Sequence, residues 1–223
     1  MKVLKKILFV LEALVLLILI IVSMVMLRIN HKTKVISDDC SGFLTAPQYR
    51  EAVAVENVNC IKQEVSCGYA VIEMFSKWAG EDVTETSLYE KYGKVVTSTG
   101  KSFEKEMNKQ FPKYKTTMRK YLKNSELLAK AYDSLKQGVP IPFEWAAKLD
   151  GQWTLHYSLL VGMDVPNDIV TVLNPYGYEE KISIKEFLDR TSFEAYENMP
   201  FYYKLAFAFE IFEKNTIFIV EER

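Results

Sequence analysis

Two residues have the types and the spacing that nucleophilic attack on a carbonyl carbon requires. Cys67 begins an apolar run, CGYAVIEMFSKWAG, that favours a helix. Unpaired backbone N–H groups at a helix N-terminus stabilise a thiolate. His156 is the only histidine outside the N-terminal segment, because the other one is His31. An imidazole exchanges protons near neutral pH, so His156 is the candidate base for Cys67.

Two amide side chains complete this arrangement. A catalytic imidazole needs an acceptor for its second nitrogen, and Asn174 ends the strand predicted beside that of His156. Acyl transfer also needs donors aimed at the developing oxyanion. The backbone N–H of Cys67 and the side-chain amide of Gln63 are the candidates. The sequence therefore predicts a nucleophile, a base, an orienting acceptor and an oxyanion donor in one site.

Each of these residues taken alone is more often structural than catalytic, and only their combination favours a mechanism. The aromatic residues Trp145, Trp153 and Tyr157 cluster around His156. They are predicted either to wall a substrate cleft or to pack in the core. No cysteine and histidine spacing is typical of a zinc site, and the mechanism needs neither a metal nor an organic cofactor.

The elements that must position these residues follow from hydrophobic periodicity. Three helices are predicted first: one from Cys67 to Ala79, one ending at Tyr92 with Asp82 or Thr84 as its cap, and one over NSELLAKAYDSLKQG capped by Asn124 or Ser125. Three strand-like runs, a short helix from Ser183 and a last strand over NTIFIVEE come later. This order predicts an α+β domain whose antiparallel sheet carries His156 and Asn174.

The N-terminal end predicts a membrane segment. Residues Ile7 to Leu27 are apolar except for Glu12 and Ser23, and at about 1.5 Å per residue they span roughly 30 Å. We expect a 1–6 tail, a 7–27 transmembrane signal anchor, a 28–57 membrane-proximal linker and a 58–223 domain. The short tail predicts a single-pass protein of the cell membrane with its domain outside the cytoplasm. A cleaved signal peptide is the alternative, because lysines precede the run.

Charge and cysteine content limit the partners and the redox state. A formal net charge of -1 gives no reason to expect nucleic acid as a partner. Three cysteines outside the cytoplasm predict a Cys40–Cys60 disulfide that leaves Cys67 free. The alternative is that Cys40 and Cys60 are unpaired buried thiols.

Three stretches carry a family resemblance: IKQEVSCGYAVIEMF, LHYSLLVGMD and VTVLNPYGYEEKISIKEF. They resemble the papain-like cysteine peptidases, above all the bacteriocin-processing branch that cleaves double-glycine leaders, and its stand-alone relatives. The resemblance implies a papain-like fold and a peptide or protein substrate. It gives Cys67 the role of nucleophile, His156 that of general base, Asn174 that of orienting residue and Gln63 that of oxyanion donor.

Two residues depart from the pattern of that branch. The gap between Gln63 and Cys67 is short, and Asn174 stands where aspartate is more common. These departures keep a second hypothesis open, in which the domain is a catalytically silent binding or assembly module, such as an accessory of bacteriocin secretion or immunity. A cysteine amidase or a transglutaminase-like enzyme would use the same residues. No ATP-binding transporter portion is present in the sequence, so we expect a stand-alone protein.

Overall fold

The computed structural model describes residues 2–34, 36, 38–94 and 96–223, with the side chains of Lys2 and Val3 left out. Met1 of the predicted tail and Val35 and Ser37 of the predicted linker lie outside this description. The chain divides into two units, residues 1–34 with 199–210 and residues 35–198 with 211–223. The smaller unit consists of helix α1 (Lys2–Thr33) and helix α8 (Phe201–Ala208).

Helix α1 is long enough and apolar enough between Leu4 and Thr33 to cross a membrane. Its side chains are exposed along nearly the whole length. The exception lies near the C-terminal end, where Ile29 is buried and α8 packs against α1. The helix continues past Leu27, so the first six residues of the predicted linker are helical.

The larger unit is built on a seven-stranded antiparallel sheet. Its strand order is β2-β7-β3-β4-β5-β6, and the two-residue strand β1 pairs with β4. The strands are β1 (Val53–Ala54), β2 (Tyr114–Arg119), β3 (Ile141–Leu149), β4 (Gln152–Asp164), β5 (Ile169–Asn174), β6 (Tyr178–Ile182) and β7 (Thr216–Glu222). The α+β prediction with an antiparallel sheet is confirmed.

Six helices and one 3-10 turn accompany this sheet. They are α2 (Ser41–Thr45), the 3-10 turn Pro47–Tyr49, α3 (Cys67–Trp78), α4 (Glu85–Tyr92), α5 (Gly100–Gln110), α6 (Asn124–Lys136) and α7 (Ile184–Thr191). The predicted ends of α3 and α4 are correct within a residue or two, because glycine at Gly80 and Gly93 has positive φ after each helix.

Two hydrophobic clusters lie on the two faces of the sheet. Successive residues of β4 alternate between them: Leu159 and Val161 pack with α3 and α5, while Leu160 packs with α6 and α7. This period of two follows from strand geometry. It places the Cys67 helix on one face and the α6–α7 layer on the other.

The region predicted as a linker is part of the folded unit beyond Lys34. Strand β1 pairs with β4 through Val53 and Met163. Asp38 accepts hydrogen bonds from the backbone N–H of Asn124 at 2.6 Å and of Ser125 at 3.3 Å. The N-terminal cap of α6 is therefore a carboxylate 86 residues upstream, and the prediction of a local cap by Asn124 or Ser125 is wrong.

Candidate active site

The best-defined contact of the site joins His156 to Asn174. His156 Nε2 lies 3.0 Å from Asn174 Oδ1, and both residues are buried. His156 is on β4, and Asn174 ends the neighbouring strand β5. The ring of Tyr176 stacks on the imidazole, with centroids 4.2 Å apart and planes 25° apart. One hydrogen bond and one ring-stacking contact therefore fix the orientation of the imidazole.

The amide of Asn174 is oriented by three partners. Its Oδ1 accepts from the backbone N–H of Tyr176 at 3.0 Å as well as facing His156. Its Nδ2 donates to Glu180 Oε1 at 2.5 Å. Because Nδ2 faces a carboxylate, the amide oxygen must be the atom turned toward the imidazole. In this arrangement His156 Nε2 carries the proton and Nδ1 is left as the acceptor nitrogen.

An ion pair between the buried Arg190 and the half-buried Glu180 supports the asparagine from behind. Arg190 donates to Glu180 Oε2 at 2.6 Å and through Nε to the carbonyl of Ala146 at 2.9 Å. The guanidinium lies 3.4 Å from the centre of the Trp145 ring. Sequence reasoning did not single out Glu180 or Arg190. Charged residues on a half-exposed strand and a helix are usually solvated, so only tertiary structure identifies them.

Cys67 is the first residue of α3, as predicted. Ser66 is the N-cap, and its hydroxyl accepts from the backbone N–H of Tyr69 at 3.3 Å. Gly68 is buried against Thr97: a Cβ at position 68 would lie 2.5 Å from Thr97 Oγ1. The glycine is therefore needed for the close approach of Thr97.

The sulfur of Cys67 lies beside the backbone of the strand that carries His156. The backbone N–H groups of Tyr157, Gly68 and Cys67 are near the thiol. Strand β5 pairs with β4 only from Leu159 onward, so the β4 backbone at Tyr157 has no β5 partner and can face the cysteine. The structure thus brings the start of α3 and the residue next to His156 together.

The acid–base state of this pair differs from the prediction of an activated thiolate. Burial raises the pKa of Cys67 to about 11, although the nearby backbone N–H groups oppose the rise. Burial lowers the pKa of His156 to about 3; the hydrogen bond to Asn174 opposes this shift and the charge of Arg190 adds to it. At neutral pH the site holds a neutral thiol and a neutral imidazole.

Gln63 is held close to the Asn174 turn. Its backbone N–H donates to the carbonyl of Pro175 at 2.7 Å. Its side-chain Oε1 is buried and has no hydrogen-bond partner among residues 2–34, 36, 38–94 and 96–223. Three contacts thus bring the four predicted residues into one region. The Gln63 backbone binds Pro175 next to Asn174, Asn174 contacts His156, and the Cys67 thiol lies near the backbone of Tyr157 next to His156.

Glu85 fixes the loop that leads into Cys67 and was missed by sequence reasoning. Its carboxylate accepts from the backbone N–H groups of Glu64 at 2.8 Å, Val65 at 2.8 Å and Ser66 at 2.6 Å. Glu85 is buried at the first turn of α4. The carboxylate holds the segment between Gln63 and Cys67 in one conformation. Its charge also raises the pKa of the thiol.

The aromatic residues around His156 are mainly core residues. Trp145 is fully buried, and its Nε1 donates to Ser158 at 2.9 Å. Tyr157 is buried, and its hydroxyl donates to Glu144 Oε1 at 2.9 Å. The prediction that these two wall a cleft is wrong, because period-two alternation sends them into the two clusters. Trp153 is half-buried, with Lys148 Nζ 4.4 Å from its ring centre.

The three cysteines are free thiols, which corrects the predicted Cys40–Cys60 disulfide. The two residues lie on opposite faces of the sheet, because Cys40 packs with the α6–α7 cluster and Cys60 with the α3–α5 cluster. Cys60 Sγ lies 3.3 Å from the carbonyl oxygen of Asn174 and donates to it. Cys60 therefore belongs to the surroundings of the site.

Comparison with known proteins identifies the family of this chain. No curated protein sequence matches it significantly. Two solved structures resemble it at 14% identity. One is a double glycine motif protease from an AMS/PCAT transporter in complex with the leader peptide, with a TM-score of 0.48 over 77% of this chain and 99% of that one. The other is the peptidase domain of Streptococcus ComA, a bifunctional ABC transporter of a quorum sensing pathway, with a TM-score of 0.47 over 74% and 99%.

The family assignment comes from a sequence model rather than from these structures. The model of the Peptidase_C39 like family matches residues 55–204, about two thirds of the chain. The match includes Gln63, Cys67, His156 and Asn174. The chain belongs to the Peptidase_C39 like family.

Proposed function

We propose that this protein is a membrane-anchored cysteine peptidase that cleaves a peptide substrate outside the cytoplasm. Cys67 is the nucleophile, His156 the general base and acid, Asn174 the orienting residue and Gln63 an oxyanion donor. The observation that carries the proposal is the 3.0 Å contact between His156 Nε2 and Asn174 Oδ1. That contact leaves Nδ1 as the acceptor on the strand whose backbone faces the Cys67 sulfur.

In this mechanism the proton moves as the sulfur attacks. Both groups are neutral at rest, so His156 Nδ1 takes the thiol proton while Sγ forms a bond to the peptide carbonyl carbon. The imidazolium then gives that proton to the leaving amine, which departs as the acyl-enzyme forms. Water, deprotonated by the same imidazole, attacks the thioester and releases the acid product and the free thiol.

Gln63 has a supporting role in the proposal. Glu85 and Pro175 fix the backbone on both sides of its side chain. Gln63 Oε1 has no hydrogen-bond partner among the described residues, so a rotation that presents Nε2 to an oxyanion breaks no bond at Oε1. A lost oxyanion donor typically costs about 2.7–4 kcal/mol of transition-state stabilisation.

The raised thiol pKa and the lowered imidazole pKa favour one other candidate function. A site that holds a neutral thiol and a neutral imidazole also suits a silent peptide-binding or assembly module. An amidase or transglutaminase-like enzyme would share the acyl-enzyme but transfer the acyl group differently. Substrate cleavage separates these functions.

The proposed location rests on α1. The apolar stretch within Leu4–Thr33 supports a single membrane span, and the proposal places the domain that follows it outside the cytoplasm. A membrane-impermeant thiol reagent applied to intact cells tests the orientation. Labelling of domain cysteines only after lysis would place the domain in the cytoplasm.

The test of function uses the full chain in lipid nanodiscs and a peptide library analysed by mass spectrometry. The library includes peptides with a double glycine, which the family resemblance makes the first substrates to try. We expect cleavage by the wild type, no cleavage by Cys67→Ala or His156→Gln, and retained cleavage by Cys60→Ala. Equal peptide binding by the wild type and Cys67→Ala without any cleavage would support the binding module instead.

A further inference from the structure

We propose that α8 and the residue after it form a second membrane contact, a lipid-facing aromatic surface made by Phe201, Tyr202 and Phe209. These side chains are 56%, 64% and 64% exposed. This inference rests on the membrane anchoring proposed above. It does not depend on peptidase activity.

The first support is the attachment of α8 to the end of α1. Arg28 Nε donates to the carbonyl of Ala208, and Lys32 Nζ lies 2.9 Å from Glu210 Oε1. Ile29, which lies between Arg28 and Lys32, has only 3% of its surface exposed. Hydrogen bond, ion pair and apolar contact therefore hold α8 against one face of α1 near its C-terminal end.

The second support is the depth at which this contact lies. The apolar run of α1 ends at Leu27, and the residues that hold α8 follow it directly. At about 1.5 Å per residue, residues 28–32 lie within roughly 8 Å of the end of the run. The polar headgroup region on each side of the hydrocarbon core is of similar thickness, about 5–8 Å. An anchor that spans the bilayer through 7–27 therefore places α8 in the membrane–water interface.

The third support is composition. Five of the eleven residues of PFYYKLAFAFE are phenylalanine or tyrosine. Tyrosine is enriched at membrane–water interfaces, and phenylalanine is common on the apolar face of helices that lie in the interface. Arg28, Lys32 and Lys204 outnumber Glu210, so the local charge is positive. A second copy of this chain would bring the same positive charge, so a lipid surface is the better partner.

The test measures lipid contact by tryptophan quenching in the full chain. Phe209→Trp and Tyr202→Trp are reconstituted separately into vesicles of phosphatidylcholine brominated either near the headgroup or deep in the acyl chain. Wild type in the same vesicles gives the background from its three native tryptophans. Leu16→Trp, in the middle of the apolar run, reports the anchor, and Tyr89→Trp, on the exposed face of α4, is the control outside the surface.

We expect the added fluorescence of both α8 variants to be lost with the shallow bromines and retained with the deep ones. Leu16→Trp should lose its signal with the deep bromines, and Tyr89→Trp with neither. Quenching of Leu16→Trp without quenching of the α8 variants would overturn the inference and leave the anchor intact. Acrylamide, a water-soluble quencher, gives a second readout. If neither acrylamide nor the brominated lipids quench the α8 variants, protein covers the surface and the inference is also overturned. If the deep bromines do not quench Leu16→Trp, α1 does not span the bilayer, and both the proposed anchor and the lipid-facing surface are overturned. The peptidase proposal is tested separately by peptide cleavage.

Discussion

Asn174 joins His156 to Glu180 through the two ends of its amide. Oδ1 lies 3.0 Å from His156 Nε2, and Nδ2 lies 2.5 Å from Glu180 Oε1. An aspartate at this position would place its second carboxylate oxygen against the carboxylate of Glu180. The neighbouring Glu180 therefore explains why asparagine serves here as the acceptor for the imidazole.

We predict that Asn174→Asp lowers both stability and kcat/KM. The variant removes a donor to the half-buried Glu180 carboxylate and adds like-charge repulsion, which costs about 1–3 kcal/mol. Adding Glu180→Gln restores a donor and removes the repulsion, but it also removes the ion-pair partner of Arg190, so the double variant should recover only part of the stability. Thermal unfolding of the detergent-solubilised full chain and the rate of peptide cleavage measure the two effects. An Asn174→Asp variant as stable as the wild type would show that the Glu180 contact has no energetic role.

Arg190 should be needed for the stability of the site. Arg190→Met leaves the half-buried Glu180 carboxylate without its ion pair, and about 3–5 kcal/mol, the typical cost of breaking a fully buried pair, is the upper bound of the loss. The matched control is Lys185→Met, which removes a pair with Asp189 whose lysine side chain is 82% exposed. That change should have little effect on stability, because solvent screens an exposed pair. Equal losses in urea unfolding would contradict the role assigned to Arg190.

The alkylation rate of Cys67 should follow a high thiol pKa. With a pKa of about 11, the thiolate fraction rises about tenfold per pH unit from pH 6 to 9. Iodoacetamide labelling, followed peptide by peptide in a mass spectrometer, should show this slope with no plateau at acidic pH. Cys60 in the same sample is the internal comparison. A fast acidic plateau at Cys67 that His156→Gln removes would instead show a preformed thiolate–imidazolium pair.

Glu144 should make the fold less stable as pH rises. Burial, with the charge of Glu213 as the second cause, raises its pKa to about 8, above the unfolded value of 4.5. Its contribution is thus complete below pH 4.5 and is lost as pH rises through 8, at up to about 1.4 kcal/mol per pH unit. His156 has the opposite sign: its folded pKa of about 3 means that stability is lost as pH falls below 6.5.

Between pH 4.5 and 6.5 the contributions of Glu144 and His156 to stability change in opposite directions with pH. Between pH 6.5 and 8 only the contribution of Glu144 changes, so this window isolates it. There we expect the Tm of the wild type to fall with pH and that of Glu144→Gln to stay nearly constant. Glu126→Gln, on the exposed side of α6, should keep the wild-type dependence. A wild-type Tm that does not change across this window would contradict a protonated Glu144.

The sequence predicted the parts of the site that have local causes. Cys67 lies at the start of α3 because an apolar period defines that helix, and His156 and Asn174 lie on the neighbouring strands β4 and β5 that the strand-like runs predicted. Contacts between distant residues were beyond such reasoning. Glu85 clamps a loop 19–21 residues upstream, and Asp38 caps α6 across 86 residues, and neither leaves a local pattern.

Burial was the other quantity that the sequence did not give. The helix N-terminus predicted a lowered thiol pKa, but Cys67 packs against the α3–α5 cluster and desolvation has the larger effect on that pKa. Trp145 and Tyr157 looked available for substrate because they flank His156 in the chain. Helices pack on both faces of the sheet, so Trp145 lies in the α6–α7 cluster and Tyr157 in the α3–α5 cluster.

Detection of an acyl-enzyme tests the central claim most directly. The full chain in nanodiscs is mixed with a cleaved peptide, quenched in acid within one turnover and digested for mass spectrometry. We predict that the peptide containing Cys67 gains the mass of the acyl half of the substrate, and that Cys60 and Cys40 do not. Cleavage of the substrate by Cys67→Ala at the wild-type rate, or an adduct on another residue, would contradict the account.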